Sequence, residues 1–283
     1  MITVLEPGLL STIQDLGRFG YLDIGVPICG VMDSNSAGLA NILLGNEKEN
    51  AVLEMTMKGP KLLFNVSTQI VITGADISPH LNDVSIDNDK IHDVKKDDIL
   101  GFGKLKTGLR AYLAVKDGFK TDMVFGSRSF YQPVTGLNQI SKNLKLAINK
   151  PILSVNNTVQ LAKLKSVDFS KQFLDVYRGP EYSQLSKSQS NKIMETPFLV
   201  SKLYNRMAYQ LLPIIENHLD SIITSPVLPG TVQLTPSGRL IVLMRDCQTT
   251  GGYPRVLQLS ESAINLLSQK KERDIVKFKL VEM

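Results

Sequence analysis

The chain has no tryptophan, and its 283 residues include only three histidines (His80, His92, His218) and two cysteines (Cys29, Cys247). The missing tryptophan excludes any site built on a Trp stacking platform. Two cysteines cannot build a disulfide scaffold, and together with three scattered histidines they are too few for a Cys/His zinc site, so no metal is expected. Long apolar runs are also missing: the longest fall far short of the ~20 residues needed to span a membrane. Met1-Ile2-Thr3-Val4-Leu5 runs directly into Glu6-Pro7-Gly8, without the regions of a secretory leader. With cysteines that look unpaired, these absences lead us to expect a cytoplasmic protein that does not engage membranes.

What is present is ordinary. The chain is 43% hydrophobic and 21% charged, as in a soluble globular protein of one large or two moderate domains. The formal charge of +5 first suggests a nucleic-acid partner. Between residues 142 and 171, however, six lysines (142, 145, 150, 163, 165, 171) face one acid, Asp168, and this window holds the whole surplus. Its lysines alternate with apolar residues, as on a strand with one face in water. It has no arginine and a single aromatic ring, Phe169, too little for stacking on bases, so no nucleic-acid partner is expected.

Periodicity is mostly short and β-like. Strands are predicted at Ile2–Leu5, Lys61–Val66, Gln69–Thr73, Arg110–Val115, Asp175–Tyr177, Thr231–Leu234, Leu240–Met244 and Ile275–Val281. A helix is predicted from an Asp33 or Ser34 cap through Leu44, stopped by Gly45, and another from a Ser260 cap over Glu261–Ser268. A polar surface helix is expected near Tyr182–Asn191. Regular βαβ alternation is missing, so the expected fold is mainly β with a few helices (α+β). Two β-rich, barrel-like lobes are expected, residues 1–165 and 166–283, with a soft boundary.

Several loops carry polar groups suited to chemistry. Asp246–Arg255 follows an apolar strand and combines two glycines with Gln248, Thr249 and Thr250, a hydrogen-bonding wall for a ligand or a strand-ending turn. In Gln14–Arg18, either Asp15 and Arg18 form a structural ion pair, or Arg18 grips a carboxylate while Asp15 orients it. Asp33 reads as a helix cap first and an active carboxylate second. Gly126-Ser127-Arg128-Ser129 offers hydroxyl and guanidinium donors for an anion, and Arg206 is a further candidate. Gly101-Phe102-Gly103-Lys104 lacks the rest of a phosphate loop, and no nucleophile elbow is present. Met57-Lys58 matches the dipeptide at which biotin is attached, but Gly59-Pro60 follows it and no carrier domain is evident, so no biotin is expected on this chain.

Taken in order, these stretches resemble one family. QDLGRFGY (14–21), GVPICGVMD (25–33), ANILLGN (40–46), Leu53-Glu54, TGAD (73–76), RAYLAV (110–115), GSRS (126–129), Arg206-Met207 and QTTGGYP (248–254) carry the match. Together they are similar to the biotin-dependent carboxyltransferase family, also called allophanate hydrolase subunit 2 or KipA-like. Its bacterial members include the C-type component of ATP-hydrolysing 5-oxoprolinase. The resemblance implies two cyclophilin-like β-barrel lobes and a heteromeric complex with an A-type component and a KipI-like B-type component. It implies an enzyme, active only within that complex, that hydrolyses the cyclic amide 5-oxo-L-proline to L-glutamate. ATP with Mg would be used by the complex, with no cofactor bound covalently here.

Two other readings stay open. One is a carboxyltransferase component acting on a urea-like amide with a separate biotin carrier. The other is a regulatory protein that binds a KipI-like kinase-inhibitor partner. In the first case carboxybiotin would come from domains not found in these residues.

On residue chemistry, Arg18, Arg128 and Arg206 are candidates for carboxylate or phosphate contacts, assisted by Ser127. Asp15 and Asp33 are candidates for orienting groups or a base. The chain departs from the family pattern at Tyr204, Asn205, Gln210 and Ser225, and reads Ala114-Val115-Lys116-Asp117-Gly118 where the family has Ala-Val-Ala-Gly-Gly. An Asn still exchanges hydrogen bonds but cannot act as a base at neutral pH.

Overall fold

The computed structural model describes residues 1–149 and 168–282. They fold as two compact units, neither of which is a simple half of the chain. The first holds Met1–Arg18 and the described residues from Asp33 to Asp168; the second holds Phe19–Met32 and those from Phe169 onward. The expected boundary at 165/166 lies outside the described residues, as do Lys150, Lys163 and Lys165. Lys145–Leu146 does form a short strand.

In the first unit two antiparallel sheets share one apolar core. One sheet runs Lys145–Leu146, Ile2–Glu6, Lys61–Phe64, Ile99–Phe102, Pro79–Leu81, Val84–Ser85. The other runs Leu10–Gln14, Val52–Thr56, Thr107–Val115, Thr68–Asp76, Ile91–Val94. Ile2, Val4, Leu62 and Phe64 from the first sheet meet Ile13, Leu53, Met55, Ile72 and Leu113 from the second. This follows from the two-residue period of a strand, which sends alternate side chains to one face.

The opposite face of the five-stranded sheet is polar yet buried. Register places Thr12, Glu54, Tyr112 and Thr73 in one row across four strands. Helix α1 (Ser34–Leu43) packs on the strands Thr68–Asp76 and Thr107–Val115, and the Thr73 hydroxyl donates to the Ser36 carbonyl at 2.7 Å.

The second unit closes a seven-stranded barrel in the order Phe173–Arg178, Arg255–Leu259, Thr231–Leu234, Leu240–Leu243, Ala208–Leu212, Phe198–Tyr204, Ile275–Leu280. Closure comes from parallel pairing of the last strand with the first. Val176, Val200, Tyr209, Leu211, Val232, Leu234, Val242 and Phe278 belong to its core, together with Met32 from the early segment. Helix α2 (Lys187–Glu195) adds Ile193 to this core, and α3 (Glu261–Ser268) adds Ile264 and Leu267. α2 starts five residues later than expected, because Ser186 and Gln189 form a reciprocal capping box, and Tyr182–Gln184 is a separate 3-10 turn.

Candidate functional site

Asp15 follows the strand Leu10–Gln14, and its carboxylate is wrapped by the chain itself. Oδ1 accepts hydrogen bonds from the Gly17 N–H (2.8 Å), the Ser127 hydroxyl (2.6 Å) and the Ser129 hydroxyl (2.7 Å). Oδ2 accepts from the Arg128 N–H at 2.6 Å. The loop 126–129 is therefore an anion cradle, as its composition suggests, and the anion in it is Asp15. Gly17 allows the turn, with φ of 96°. The Arg128 guanidinium donates to the Thr121 carbonyl.

Asp15 does not pair with Arg18, which corrects the ion-pair alternative: its oxygens are committed to hydroxyl and backbone donors. Arg18 is 1% exposed, and its Nη2 donates to the Ser129 carbonyl at 2.6 Å. Its Nε and Nη1 have no hydrogen-bond partner among the described residues. The link between the two residues is indirect: Ser129 gives its hydroxyl to Asp15 and its carbonyl to Arg18. Gln14 is fully buried, with Nε2 donating to Thr12 Oγ1 and the Phe130 carbonyl, while Oε1 has no donor among the described residues.

Asp33 caps α1, as its first reading predicted. Its Oδ1 accepts from the N–H groups of Asn35 and Ser36, and its Oδ2 from the Ser36 hydroxyl at 2.6 Å. Its own N–H donates to the Tyr112 hydroxyl at 2.8 Å. Burial first, then the charges of Glu54 and Asp33, push the Tyr112 phenol well above its ordinary range, so it stays protonated. Glu54 and Arg110 form a buried pair beside it, with Nε to Oε1 at 3.9 Å. The sequence reading placed Gln14 in a loop and gave it no role, and it gave none to Glu54, Arg110 or Tyr112, which sit in strands where burial is the default. The available signal was polar side chains at positions where a strand should be apolar or exposed.

The remaining candidates lie in the second unit. Arg206 holds Asp246 through Nε (2.7 Å) and Nη2 (2.8 Å), and Nη2 also donates to the Gly30 carbonyl at 2.6 Å. This bidentate pair ties the hairpin at 205–208 to the loop after the strand Leu240–Leu243 and to the segment Phe19–Met32. Thr250–Gly251 pairs with Ser225–Pro226, and Val227 N–H donates to the Thr249 carbonyl. The side chains of Gln248 and Thr249 are half-buried and that of Thr250 is exposed; none of the three takes part in a hydrogen bond with the described residues. Beneath the loop, Gln233 Nε2 is buried with no acceptor among the described residues, and a Cβ on Gly251 would come within 2.5 Å of it. Cys247 packs with Val227 and Leu243, and burial pushes its thiol up to about 12, far from a reactive thiolate.

Residues 24–280 match the family model described as the carboxyltransferase domain, subdomains A and B. The chain belongs to this carboxyltransferase family. Among curated relatives, the C-type component of 5-oxoprolinase from Escherichia coli (strain K12) is 30% identical over 276 residues, covering 95% of this chain and 87% of that protein. The corresponding protein of Haemophilus influenzae is 28% identical and covers 100% and 92%. Among solved structures, the K. lactis urea amidolyase superposes with a TM-score of 0.89 at 27% identity over 99% of this chain. This chain spans only 19% of the length of that one.

The departures from the carboxyltransferase pattern sit in turns and on strand faces. Asn205 Oδ1 accepts from the Met207 and Ala208 N–H groups, a turn-forming role open to Asp or Asn alike. Gln210 accepts from Arg239, the Ser225 hydroxyl donates to the Ile223 carbonyl, and the Tyr204 ring lies 5.3 Å from that of Tyr209. Lys116 donates to the Leu44 carbonyl just beyond α1, satisfying a helix end.

Proposed function

We propose that this carboxyltransferase-family chain is the C-type component of an ATP-dependent 5-oxoprolinase, a cytoplasmic hydrolase complex that opens 5-oxo-L-proline to L-glutamate. The observation that carries this reading is the nearly end-to-end correspondence with two proteins named as that component. A five-membered lactam resists hydrolysis because its nitrogen is a poor leaving group. Phosphorylation of the lactam oxygen makes the ring carbon electrophilic: water adds, the C–N bond breaks to leave an amine and an acyl phosphate, and a second water displaces the phosphate, while fixed cationic donors stabilise the charge that develops. One water is consumed in opening the ring and one in the net hydrolysis of ATP. ATP with Mg is a co-substrate of the complex, with no covalent cofactor and no biotin on this chain.

In this reading Arg18 is the substrate-facing cation of the first unit, because its guanidinium is buried with donors unfilled by the described residues. Asp15 and its cradle of Ser127, Arg128 and Ser129 position it. Asp33 acts as a helix cap rather than a base. In the second unit Gln248, Thr249 and Thr250 supply hydrogen-bonding groups, and Arg206 fixes their loop through Asp246. The partners are the A-type component and the KipI-like B-type component of 5-oxoprolinase. The test combines the three purified proteins with ATP, Mg²⁺ and 5-oxoproline and follows glutamate and phosphate together; coupled release that needs every protein is expected.

A second reading, transfer of a carboxyl group to a urea-like amide from a separate carrier, is favoured by the fit to urea amidolyase. It is tested by supplying carboxylated biotin carrier and urea instead of ATP and 5-oxoproline.

A further inference from the structure

On the barrel of the second unit, apolar residues stand on the outside where alternation calls for polar ones. Leu174, Val176, Phe198, Val200, Tyr209, Leu211, Val276 and Phe278 fill the core, so their strand neighbours Phe173, Leu199, Leu212 and Ile275 point outward. These four are 59%, 40%, 41% and 37% exposed. Three of them form one row across the sheet: Leu199 pairs with Leu212 on one side and with Ile275 on the other. Phe173 extends the row, because it lies opposite Lys277, the next outward residue after Ile275. Single apolar residues scattered over a surface are ordinary, but a contiguous group on adjacent strands marks an interaction surface.

The edge of this patch is cationic. Lys277 sits over the Phe173 ring, with Nζ 5.8 Å from its centroid, and Lys279 follows on the same strand. Arg239 donates at 3.1 Å to Gln210, the outward residue before Leu212. Among the described residues no carboxylate pairs with any of these three cations. Glu272 and Asp274, the acids nearest Ile275 in sequence, are taken by Arg273 and Lys271. Asp175, opposite Lys279, is the one acid in the four strands. The barrel is closed, so a partner meets these side chains instead of adding a strand. A second copy of the chain fits poorly: a two-fold contact sets the patch against itself and brings its cations together, on a chain already at +5.

We propose that this outer barrel face docks a companion protein of the complex, one that presents an apolar patch edged by aspartate and glutamate. The inference rests on reading the chain as one component of a heteromeric enzyme and gives the surface by which it joins. Phe173, Leu199, Leu212 and Ile275 form the desolvated centre of the contact. Lys277, Lys279 and Arg239 steer the encounter and select an acidic partner over a neutral or basic one.

The test mixes the full chain with the purified A-type or B-type component and measures affinity and association rate at low and high salt. A carbodiimide, which joins an amine to a carboxylate in contact with it, then maps the pairs by mass spectrometry. Association with one component is expected, with links from Lys277 or Lys279 to its acidic residues. Leu199→Ser combined with Leu212→Ser should weaken binding at least ~30-fold. Lys277→Glu combined with Lys279→Glu should slow association about 10-fold and flatten its salt dependence. The lysine side chains lie outside the core, so that variant decides the case should the leucine variant fold poorly. Val84→Ser, which alters an exposed apolar residue of the first unit, should change nothing.

No association with either component, or a complex that survives both double variants, overturns the docking face. So does self-association of the chain, or binding to phosphatidylserine vesicles, that the leucine variant abolishes while component binding stays intact. If the complex forms through this face but releases no glutamate from 5-oxoproline and ATP, the face stands and the oxoprolinase reading fails. Glutamate release by a complex that both double variants leave intact is the reverse outcome.

Discussion

Asp15, a candidate orienting group or base, is also built into the architecture of its loop. Four donors converge on one carboxylate, and each such bond to a charged acceptor contributes about 1.5–3 kcal/mol before the loop relaxes. Asp15→Ala should therefore cost about 2–4 kcal/mol in urea unfolding. Wild-type stability in that variant would mean the cradle holds nothing. The residue types of this site were legible in the sequence: Asp15, Arg18, Ser127 and Arg128 stand out as polar groups among glycines. Their partnering was not, because spacing cannot tell whether a carboxylate faces the nearby guanidinium or a loop more than a hundred residues away.

At the scale of elements, caps and alternation did most of the specifying. The helix expected after Ser260 forms over Glu261–Ser268, with the Ser260 hydroxyl accepting from the Ala263 N–H. Ser260→Ala should cost about 1 kcal/mol, seen as a lower thermal midpoint, and leave activity of the assembled complex unchanged. A loss of activity at full stability would assign Ser260 another role. All eight predicted strands are present within a few residues. Strands passed over, such as Leu10–Gln14 and Val52–Thr56, place polar and apolar residues both in buried positions, which erases the alternation that marks a half-exposed strand. Long-range pairing is equally invisible locally: Phe19–Met32 precedes α1 in sequence but belongs with the barrel unit.

For the whole molecule, pH acts through carboxylates that hold distant segments together. Glu181 binds Arg255 through both oxygens, and Arg255 also donates to the Pro226 carbonyl, which links the turn after the first barrel strand to the loop under Thr250. The Arg255 hydrogen bond holds the Glu181 carboxyl below its usual range. A carboxyl depressed in the folded state contributes stability above its unfolded pKa, near ~4.3, and that stability is lost as pH falls through the folded value. Unfolding followed from about pH 7 to about pH 3 should show Glu181→Gln losing less stability on acidification than the wild type. Parallel curves would remove this pair from the acid response. Among the described residues no helix is long and apolar enough to cross a membrane.

The account of function rests on this chain being a required part of a lactam-opening complex. The most direct check is 5-oxoproline-dependent phosphate release by the A-type and B-type partners, with and without this chain, glutamate being counted in the same samples. Glutamate and phosphate formed one to one only when the chain is present, and lost with Arg18→Gln in an intact complex, is the predicted result. Full turnover without the chain, or phosphate release that ignores 5-oxoproline, would contradict it.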